Sequence, residues 1–466
     1  MMTRTAFLKT SLAAAAPGAA AGRPAAYLSS KDRRWRLAPV TAAAMGTPGL
    51  TLHIDPSIGY QEILGFGGTY TEATAYNLKR LSAPLRRNVL QLFFDPVRGA
   101  GWSLLRTTIN SCDASSGYYD YTKGSANPEE FNIQPDIDNF MLPGLQEALK
   151  ISGAQFKIFA SPWTPPVGMK DTGLFNKGSL LPQHYAAWAQ YMVRYLDAYR
   201  AGGVPVWGLT PQNEPEAYEQ KWDACGWTAQ GMTEFLANHL IPRLRQSHPN
   251  VRLLLWDHNK NHMLKWLETM LANGTVRGAA QGIAHHWYED GEAKNFGPLA
   301  EAQKLAPHLP LLATEQGVFG VKLLDGDVAE LYARDLLLNM QHGSAAWVVW
   351  GMAFDHQGGP NHAGNFNHSP IMIDVEKGRL YLNPSYYYLA HFSRFVRPGA
   401  RRIRLSGAPE TLPAAAFLQA NGDVVTTVLN PGGEQVHTAI HAPARRAMVQ
   451  LPPGSIATVV FPAQAS

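Results

Sequence analysis

The sequence has little cysteine: Cys112 and Cys225 are the two cysteines in a chain of 466 residues. In an exported protein two cysteines could pair as a disulfide, but both of these lie beside candidate site residues. We therefore expect two free thiols that are mostly buried, because an unpaired cysteine packs as a small apolar residue.

Charge and long apolar stretches are also scarce. Charged residues make up 16% of the sequence, below the usual share of about a quarter, and the formal net charge is +4. No run of Lys and Arg stands out, which argues against a nucleic-acid partner. No later segment has about 18 uninterrupted apolar residues, so we expect no membrane span. Aromatic residues are plentiful instead, with 12 Trp, 18 Tyr and 18 Phe available for a large core and for flat binding surfaces.

The motifs of two hydrolase classes are missing or incomplete. A Gly-x-Ser-x-Gly elbow, which an esterase would need, does not occur. His258 and His262 have the i, i+4 spacing of a zinc-protease motif, but Asn259 replaces its general-base Glu and no helix is predicted before them. These features argue against an esterase and against a metalloprotease.

The amino terminus has the pattern of an export signal over residues 1–22. Arg4 and Lys9 form a short basic start, a weakly apolar run follows, and the small residues at 19–21 suit a cleavage site. The segment around Arg4 looks like a twin-arginine signal in which Thr5 replaces the second arginine, which leaves the export route open. A disordered Ala-rich tail is the alternative. We expect an exported protein, either periplasmic or secreted.

Two short apolar runs end in polar residues with the same pattern. The run at 204–209 reads as a buried strand and is followed by Asn213, Glu214 and a proline that stops strand pairing. The run at 309–313 is followed in the same way by Glu315 and a glycine. Two glutamates at the ends of buried strands suit paired-carboxylate chemistry. In glycoside hydrolysis one carboxyl protonates the leaving oxygen while the other attacks or activates water.

Strand-like runs alternate with helical segments over the middle of the chain. Eight strands that alternate with helices indicate an α/β fold, the (β/α)8 TIM barrel, over residues 58–396. On that fold the functional site lies at the carboxyl ends of the strands, where Glu214 and Glu315 follow the fourth and seventh strands. The eight runs lie at 63–68, 102–109, 155–160, 204–209, 251–256, 282–287, 309–313 and 345–349.

The two ends of the chain are predicted to form a second, all-β unit. After residue 397 short strands are separated by turn signals such as Asn421-Gly422, which indicates an appended β-sandwich over residues 397–466. Residues 23–57 read as a lead-in that ends in a half-buried strand at 50–54, which we expect to join the sandwich. The favoured role of the sandwich is to brace the barrel.

Short motifs follow one another in a fixed order from about residue 50 to the end of the chain. They are Gly65-Phe66-Gly67-Gly68, Arg106 with Ser111-Cys112-Asp113, Ala160-Ser161-Pro162-Trp163-Thr164, Asn213-Glu214-Pro215, His286-Trp287-Tyr288, Ala313-Thr314-Glu315, Gly358-Gly359-Pro360-Asn361, Asn365-Phe366, Ser369-Pro370 and the segment 388–395. In this order they resemble the glucosylceramidase (acid β-glucosidase) type of glycoside hydrolase family 30. Asn-Glu-Pro alone is shared by many barrel glycosidases, whereas the ordered set is highly specific.

The resemblance implies a retaining mechanism that requires no metal and no organic cofactor. Glu315 is implied as the nucleophile that forms a covalent glycosyl-enzyme, and Glu214 as the general acid/base that then activates water. We expect the acid to have a raised pKa, to which the negative charge of its partner contributes. Asn213 is expected to hydrogen-bond the sugar 2-hydroxyl, and Arg106 to pair with a carboxylate near the site.

The resemblance also implies a set of substrate-binding residues for a β-glycoside, of which a glycolipid is one form. Each of them has an alternative role in the core or in stabilising a loop. They are Asp113, Trp163 and Trp350 around the non-reducing sugar, Tyr288 beside Glu315, Asn365 at the entrance with Phe366, His286, and Trp222 as a wall for the leaving group.

Three departures from the family pattern leave the sugar open. Glu72 stands where an Asp is usual, and Gln316-Gly317 replaces a small residue and a cysteine. The run at 347–351 lacks the Asp and Asn usual near its second Trp, and it lines the sugar site. Beside a β-glucoside such as glucosylceramide, the alternatives are therefore a β-xyloside, a β-fucoside or a β-1,6-glucan. An inactive carbohydrate-binding barrel is a further alternative, against which the presence of both glutamates argues.

Overall fold

In the computed structural model the protein is described over residues 23–42, 48–151, 153–288 and 295–463, and the predicted export signal lies outside these ranges. The strands, in chain order, are β1 (Ala25–Ser30), β2 (Ala38–Val40), β3 (Leu50–Glu62), β4 (Gly65–Tyr70), β5 (Leu104–Ile109), β6 (Lys157–Pro162), β7 (Gly208–Leu209), β8 (Arg252–Asn259), β9 (Ala280–His286), β10 (Leu311–Gln316), β11 (Ser344–Val349), β12 (Ala353–Asp355), β13 (Ile371–Asp374), β14 (Arg379–Leu382), β15 (Arg401–Ser406), β16 (Ala414–Leu418), β17 (Val424–Asn430), β18 (Val436–Ala442), β19 (Arg445–Leu451) and β20 (Ser455–Phe461).

The α-helices lie mostly between the barrel strands. Helix α1 begins where the Thr71 side chain accepts a hydrogen bond from the Thr74 amide at 3.2 Å, a common way to satisfy a free N–H at a helix start. The helices are α1 (Glu72–Arg80), α2 (Ala83–Phe94), α3 (Gln134–Asp138), α4 (Met141–Leu149), α5 (Tyr185–Ala201), α6 (Ala229–Phe235), α7 (Ile241–Ser247), α8 (Met263–Ala272), α9 (Gly274–Ala279), α10 (Gly297–Leu305), α11 (Gly326–Gln341) and α12 (Pro384–Ser393).

Strands β4 to β11 form a closed, parallel barrel, which confirms the predicted (β/α)8 fold. Each of the eight predicted runs supplies one strand. A buried cluster with members on strands across the barrel, including Leu104, Leu254 and Val348, fills the interior. The glycines of β4 are required by this packing, because a β-carbon at Gly67 would lie 1.9 Å from the Leu104 carbonyl oxygen.

The second unit is a nine-stranded sheet built from both ends of the chain. Its strand order is β19-β18-β3-β15-β16-β17-β20-β1-β2, and its inner side chains form one apolar core. The predicted amino-terminal strand is part of β3, which pairs with β18 and β15. The sheet also takes up β1 and β2, which the sequence pattern does not distinguish from the lead-in.

Helix α12 joins the barrel to the sandwich through buried polar contacts. Both ring nitrogens of His391 lie 2.9 Å from hydroxyls of the sandwich, those of Thr458 and Ser29. The Tyr388 hydroxyl donates to the Gly454 carbonyl at 2.7 Å. Because buried polar groups are costly unless paired, these contacts fix how the two units meet.

A small sheet of β12, β13 and β14 follows the last barrel strand and is not predicted from the sequence. Its strands are three or four residues long, too short for a periodic pattern to be recognised. The loop between β12 and β13 carries Asn361 and Asn365 to the mouth of the barrel.

The expectations of free thiols and of no membrane span can both be compared with the described part of the chain. Cys112 and Cys225 are free and buried, as predicted. Among the described residues, no helix combines the length and the apolar character that a membrane crossing requires.

Candidate active site

Glu214 lies at the carboxyl end of the fourth barrel strand, on the segment after β7. This segment is fixed to both neighbouring strands, because the Asn213 amide donates to the Pro162 carbonyl at 2.7 Å and the Glu214 amide to the Asp257 carbonyl at 3.0 Å. Glu214 has a φ of 48°, in the left-handed region that residues other than glycine seldom adopt. Strain of this kind persists where surrounding contacts hold it and is frequent at functional sites.

Glu315 lies near the end of β10, and its two carboxylate oxygens have different partners. The Tyr288 hydroxyl donates to Oε1 at 2.8 Å. The Arg106 guanidinium donates to Oε2 and forms an ion pair with it. The carboxylate is therefore charge-compensated on one side and oriented from the other.

Arg106 is the centre of a buried network beneath the two glutamates. Besides Glu315, it donates to Asn213 Oδ1 at 2.7 Å and to Asp257 Oδ2 at 2.8 Å. Burial alone would lower the pKa of Arg106, but the negative charges of Asp257 and Glu315 raise it. One permanent cation thus connects the nucleophile candidate with the neighbour of the acid/base candidate.

Asp257 lies near the end of β8, next to His258, and is fully buried. Besides Arg106, the hydroxyls of Ser161 and Thr210 donate to Oδ2 at 2.8 and 2.7 Å, and the Thr314 hydroxyl donates to Oδ1 at 2.7 Å. Burial alone would raise the pKa of Asp257, but the charge of Arg106, the contact with His286 and the hydrogen bond from Thr210 hold it well below its usual range. These contacts therefore favour the charged form of the carboxylate.

His286 bridges Asp257 and Glu214. Its Nε2 lies 3.2 Å from Asp257 Oδ1, and its Nδ1 lies 3.1 Å from Glu214 Oε1. Burial alone would lower the pKa of His286, but the charge of Glu315 and the two carboxylate partners raise it to about 9. At neutral pH both ring nitrogens therefore donate, one to each carboxylate.

The pKa of Glu214 is shifted downwards, opposite to the raised pKa expected for an acid. Burial alone would raise it, but the hydrogen bond from His286 and the positive charges of His258, His286 and Arg106 outweigh burial. His258 Nδ1 lies 3.8 Å from Glu214 Oε1. The expectation was wrong because the motifs do not indicate that histidines flank this carboxylate on two sides.

Trp163 and Trp350 form an apolar wall beside Arg106. Their ring centroids lie 5.4 Å apart, and the Arg106 guanidinium lies 4.6 Å from the centroid of Trp163. Trp222, half-buried, packs against the same cluster, which also contains Phe354. All three tryptophans thus lie in or against one apolar cluster, and the role of Trp222 as a wall for the leaving group stays a prediction.

Asp113 is buried next to this wall. Asn365 Nδ2 donates to its Oδ2 at 2.8 Å and Asn361 Nδ2 donates to the same oxygen at 3.2 Å. Burial and the negative charge of Glu315 raise the pKa of Asp113 to about 7. Asn365 is therefore a direct partner of Asp113, and the exposed Phe366 follows it at the rim.

Two of the positions that depart from the family pattern have clear surroundings. Glu72 is buried and accepts hydrogen bonds from the Ser116 amide at 2.6 Å and hydroxyl at 3.0 Å, which fixes the loop that carries Asp113. A β-carbon at Gly317 would lie 2.9 Å from the Tyr288 hydroxyl and 3.1 Å from the β-carbon of Trp350. The packing thus leaves no space for a side chain at Gly317.

Every residue singled out from the sequence lies at this end of the barrel, but three contributors were missed. Asp257, His258 and Asn361 surround the site without having been assigned a role in it, although His258 stands in the incomplete zinc motif and Asn361 in the family motif set. Asp257 and His258 follow the apolar run at 251–256 just as Glu214 follows its strand, so the same signal was present.

Two family sequence models match the chain. That of the Glycosyl hydrolase family 30 TIM-barrel domain matches residues 63–396, and that of the Glycosyl hydrolase family 30 beta sandwich domain matches residues 399–459. The motif-based resemblance is confirmed by these matches.

Individual relatives agree with the family matches. The chain is 33% identical to the lysosomal acid glucosylceramidase of Mus musculus over 432 residues, which cover 89% of this chain and 84% of the mouse protein. It is 27% identical to the endo-1,6-beta-D-glucanase of Neurospora crassa, over 91% of this chain and 92% of the fungal one.

Among solved structures, SrfJ from Salmonella typhimurium superposes with a TM-score of 0.88 at 28% identity, over 95% of this chain and 100% of SrfJ. Sequence motifs, barrel, sandwich and these comparisons agree. The chain belongs to glycoside hydrolase family 30, a family of retaining β-glycosidases.

Proposed function

We propose that this glycosidase hydrolyses β-glucosyl bonds, with Glu315 as the nucleophile and Glu214 as the general acid/base. The observation that carries the proposal is the pair of contacts on Glu315, an ion pair with Arg106 and a hydrogen bond from Tyr288. A carboxylate held in this way is fixed and charged, as an attacking group must be. Glu214 lies in a different environment, with His286 Nδ1 at 3.1 Å and His258 Nδ1 at 3.8 Å from its Oε1.

The proposed reaction has two displacements. A Glu315 oxygen bonds to the sugar C1 while the bond from C1 to the leaving oxygen breaks. Glu214, which takes up a proton from His286 Nδ1 at 3.1 Å, gives that proton to the leaving oxygen. Water then attacks C1, the bond to Glu315 breaks, and Glu214 accepts the proton of the water. The two inversions together retain the anomeric configuration, for which carboxyl groups roughly 5–5.5 Å apart are typical.

We propose Asp113, Trp163 and Trp350 as the pocket for a single terminal sugar. The two indole rings form an apolar wall, and the Asp113 carboxylate accepts from sugar hydroxyls. Asn213 is the proposed partner of the 2-hydroxyl, because Arg106 holds its amide oxygen and leaves the NH2 group free to turn towards substrate. Glucose is favoured because the names of the mouse and Neurospora relatives both denote enzymes of β-linked glucose.

An apolar aglycone is favoured by the rim of the barrel. Phe319, Val321, Leu323 and Phe366 are large apolar residues with 38–53% of their surface exposed. The Phe319 ring packs against that of Tyr288, with centroids 5.6 Å apart and planes tilted by 38°, so this apolar surface begins next to the partner of Glu315. A lipid such as the ceramide of glucosylceramide is the leaving group that such a surface would suit. A β-1,6-linked glucan is the second candidate, since the Neurospora relative is a glucanase.

A panel of nitrophenyl β-glycosides tests the sugar, with the Glu315→Gln variant as a control. Release from the glucoside above that from the xyloside, fucoside and galactoside, lost in the variant, is the expected result. Glucosylceramide in detergent and a β-1,6-glucan then test the aglycone, and the configuration of the first product tests retention. Preference for another sugar would overturn the glucose assignment, and an inverted product would overturn the roles of both glutamates.

We also propose that residues 1–22 direct export, that residues 58–396 act as the catalytic barrel, and that residues 23–57 and 397–466 together act as the second unit. The basic, apolar and small-residue order of the first segment supports export. Mass spectrometry of the protein from the cell envelope or medium tests this: a mature amino terminus near residue 22 is expected, and an intact cytoplasmic chain would contradict it.

A further inference from the structure

Glu214, His258 and His286 bring three potential metal ligands to one point. One ligand atom from each, a carboxylate oxygen or a ring nitrogen, lies within 4.8 Å of the other two. The Glu214 oxygen is 3.1 Å from His286 Nδ1 and 3.8 Å from His258 Nδ1. The retaining mechanism makes no use of such a convergence, and His258 has no part in it.

The ligand types and spacings fit a transition metal of the zinc class. Zn²⁺ binds imidazole nitrogen and carboxylate oxygen at about 2.0–2.2 Å in tetrahedral geometry, which places ligand atoms roughly 3.4 Å from one another. The two distances from Glu214 Oε1, 3.1 and 3.8 Å, bracket that value, and the two ring nitrogens lie within 4.8 Å of each other. Small side-chain rotations would therefore bring the three ligand atoms to tetrahedral spacing. Two histidines and one carboxylate leave a fourth position open, as in mononuclear zinc sites.

The surroundings orient the ligands as the outer shell of a metal site does. His286 directs Nδ1 to the cluster because its Nε2 is held by Asp257 at 3.2 Å, the carboxylate–histidine arrangement found behind many ligating imidazoles. The His258 ring stacks on the buried Trp256, with centroids 5.4 Å apart and an interplanar angle of 27°. Both rings are therefore fixed before an ion arrives.

The local charge also favours a cation. Glu214, Glu315 and Asp257 are three carboxylates, and Arg106 is the permanent cation that pairs with two of them. Because Arg106 pairs with Asp257 and Glu315, the Glu214 carboxylate is the one of the three whose charge a bound ion would compensate.

We propose that Glu214, His258 and His286 form a binding site for a Zn²⁺-class ion, and that the bound ion reversibly inhibits the enzyme by occupying the carboxylate that handles the leaving-group proton. The inhibitory part rests on the proposed role of Glu214, whereas the binding part does not.

The proposed site is distinct from the pair His258 and His262, which has the spacing of a zinc-protease motif in the sequence. His262 lies in the turn after β8, where its Nδ1 is 2.6 Å from Glu216 Oε2.

Direct binding to the full-length, chelator-treated protein tests the site. Titration with Zn²⁺ in a calorimeter, and with Co²⁺ followed by its visible absorption, should show one ion per chain. His258→Ala and Glu214→Gln should each weaken binding by about 10-fold or more, whereas the matched His262→Ala should not. Glu214→Gln keeps the shape of the side chain. A loss of binding in this variant therefore cannot be ascribed to misfolding, as a loss in His258→Ala alone could be. Absence of one-to-one binding, or loss in His262→Ala alone, would overturn the site.

Hydrolysis of an aryl glucoside during the Zn²⁺ titration tests the inhibition. Activity should fall with a midpoint that matches the dissociation constant, and the midpoint should rise about 10-fold in His258→Ala relative to that variant's own metal-free rate. Activity that persists when the ion is bound would count against the role of Glu214, and hence against the proposed function. Hydrolysis without metal binding would refute the metal site alone.

Discussion

Asp257 and His286 are hydrogen-bonded, Oδ1 to Nε2 at 3.2 Å, and this contact links the surroundings of the two glutamates. Asp257 also pairs with Arg106, which holds Glu315, while His286 contacts Glu214. Because these groups are buried, a change of charge on one glutamate is transmitted to the other with little screening by solvent. Asp257 is therefore a positioning residue, which acts on both glutamates through Arg106 and His286 and requires no contact with substrate.

Replacement of Asp257 by Asn should destabilise the protein by about 3–5 kcal/mol, the usual cost of breaking a buried ion pair from one side. The variant leaves Arg106 with one carboxylate fewer in a site that water does not reach. Chemical denaturation measures the change. Asp327→Asn is the matched control, because Asp327 pairs with Lys31 at the surface and should lose less than about 1 kcal/mol. Equal stability of the two variants would contradict the buried network.

The Glu214→Gln variant should slow hydrolysis by about 10²–10⁴-fold, the range that general acid–base catalysis supplies. The loss should depend on the leaving group, because a phenol of low pKa departs without a proton while an alkyl alcohol does not. Comparison of dinitrophenyl and alkyl β-glucosides, with Glu216→Gln as a control on the same loop, measures this. An equal loss for both substrates would assign Glu214 a role other than proton donor.

The barrel could be predicted because strands buried on both faces read as continuous apolar runs, and all eight runs supply strands. The short β1, with the sequence Ala-Ala-Tyr-Leu-Ser-Ser, gives no such signal. It becomes a strand through its pairing with β20, more than 400 residues away in the chain. A local sequence pattern does not predict such a distant pairing.

The two glutamates could be predicted from their positions after apolar strands, but their partners depend on barrel closure. Arg106 on β5 forms an ion pair with Asp257 on β8 across the barrel interior. The spacing of residues in the sequence does not predict which inward-facing side chains come into contact. The direction of the Glu214 pKa was mispredicted for the same reason, since it depends on the position of His258.

Binding of a neutral glucose analogue should strengthen as the pH rises through about 7, the pKa to which burial and Glu315 raise Asp113. Above that pH the Asp113 carboxylate offers only acceptors to sugar hydroxyls, whereas below it one oxygen carries a proton. Calorimetric titration with a methyl thio-β-glucoside, which itself does not titrate, measures the effect. Affinity should be nearly independent of pH in Asp113→Asn, and a wild-type affinity that also stays flat would contradict this role.

The raised pKa of Asp113 has the opposite effect on folding stability, which should fall as the pH rises. The folded pKa of Asp113, about 7, lies above the unfolded value of about 3.9. Its contribution to the unfolding free energy is therefore fully present below about pH 3.9 and is lost as the pH rises through about 7. Wild-type protein should lose stability relative to Asp113→Asn over this window. A constant difference between the two melting temperatures would show that Asp113 does not titrate there.

Restoring the family's cysteine at Gly317 should impair the enzyme rather than improve it. A β-carbon at this position meets the Tyr288 hydroxyl at 2.9 Å, which its hydrogen bond to Glu315 holds in place, and the β-carbon of Trp350 at 3.1 Å. Displacing Tyr288 removes a hydrogen bond from Glu315, so kcat/KM should fall by about 10-fold in Gly317→Ala and further in Gly317→Cys. Gly433→Ala is the matched control, because a β-carbon there has no neighbour within 4 Å. Wild-type activity in Gly317→Cys would show that Tyr288 and Trp350 can move apart without consequence for Glu315.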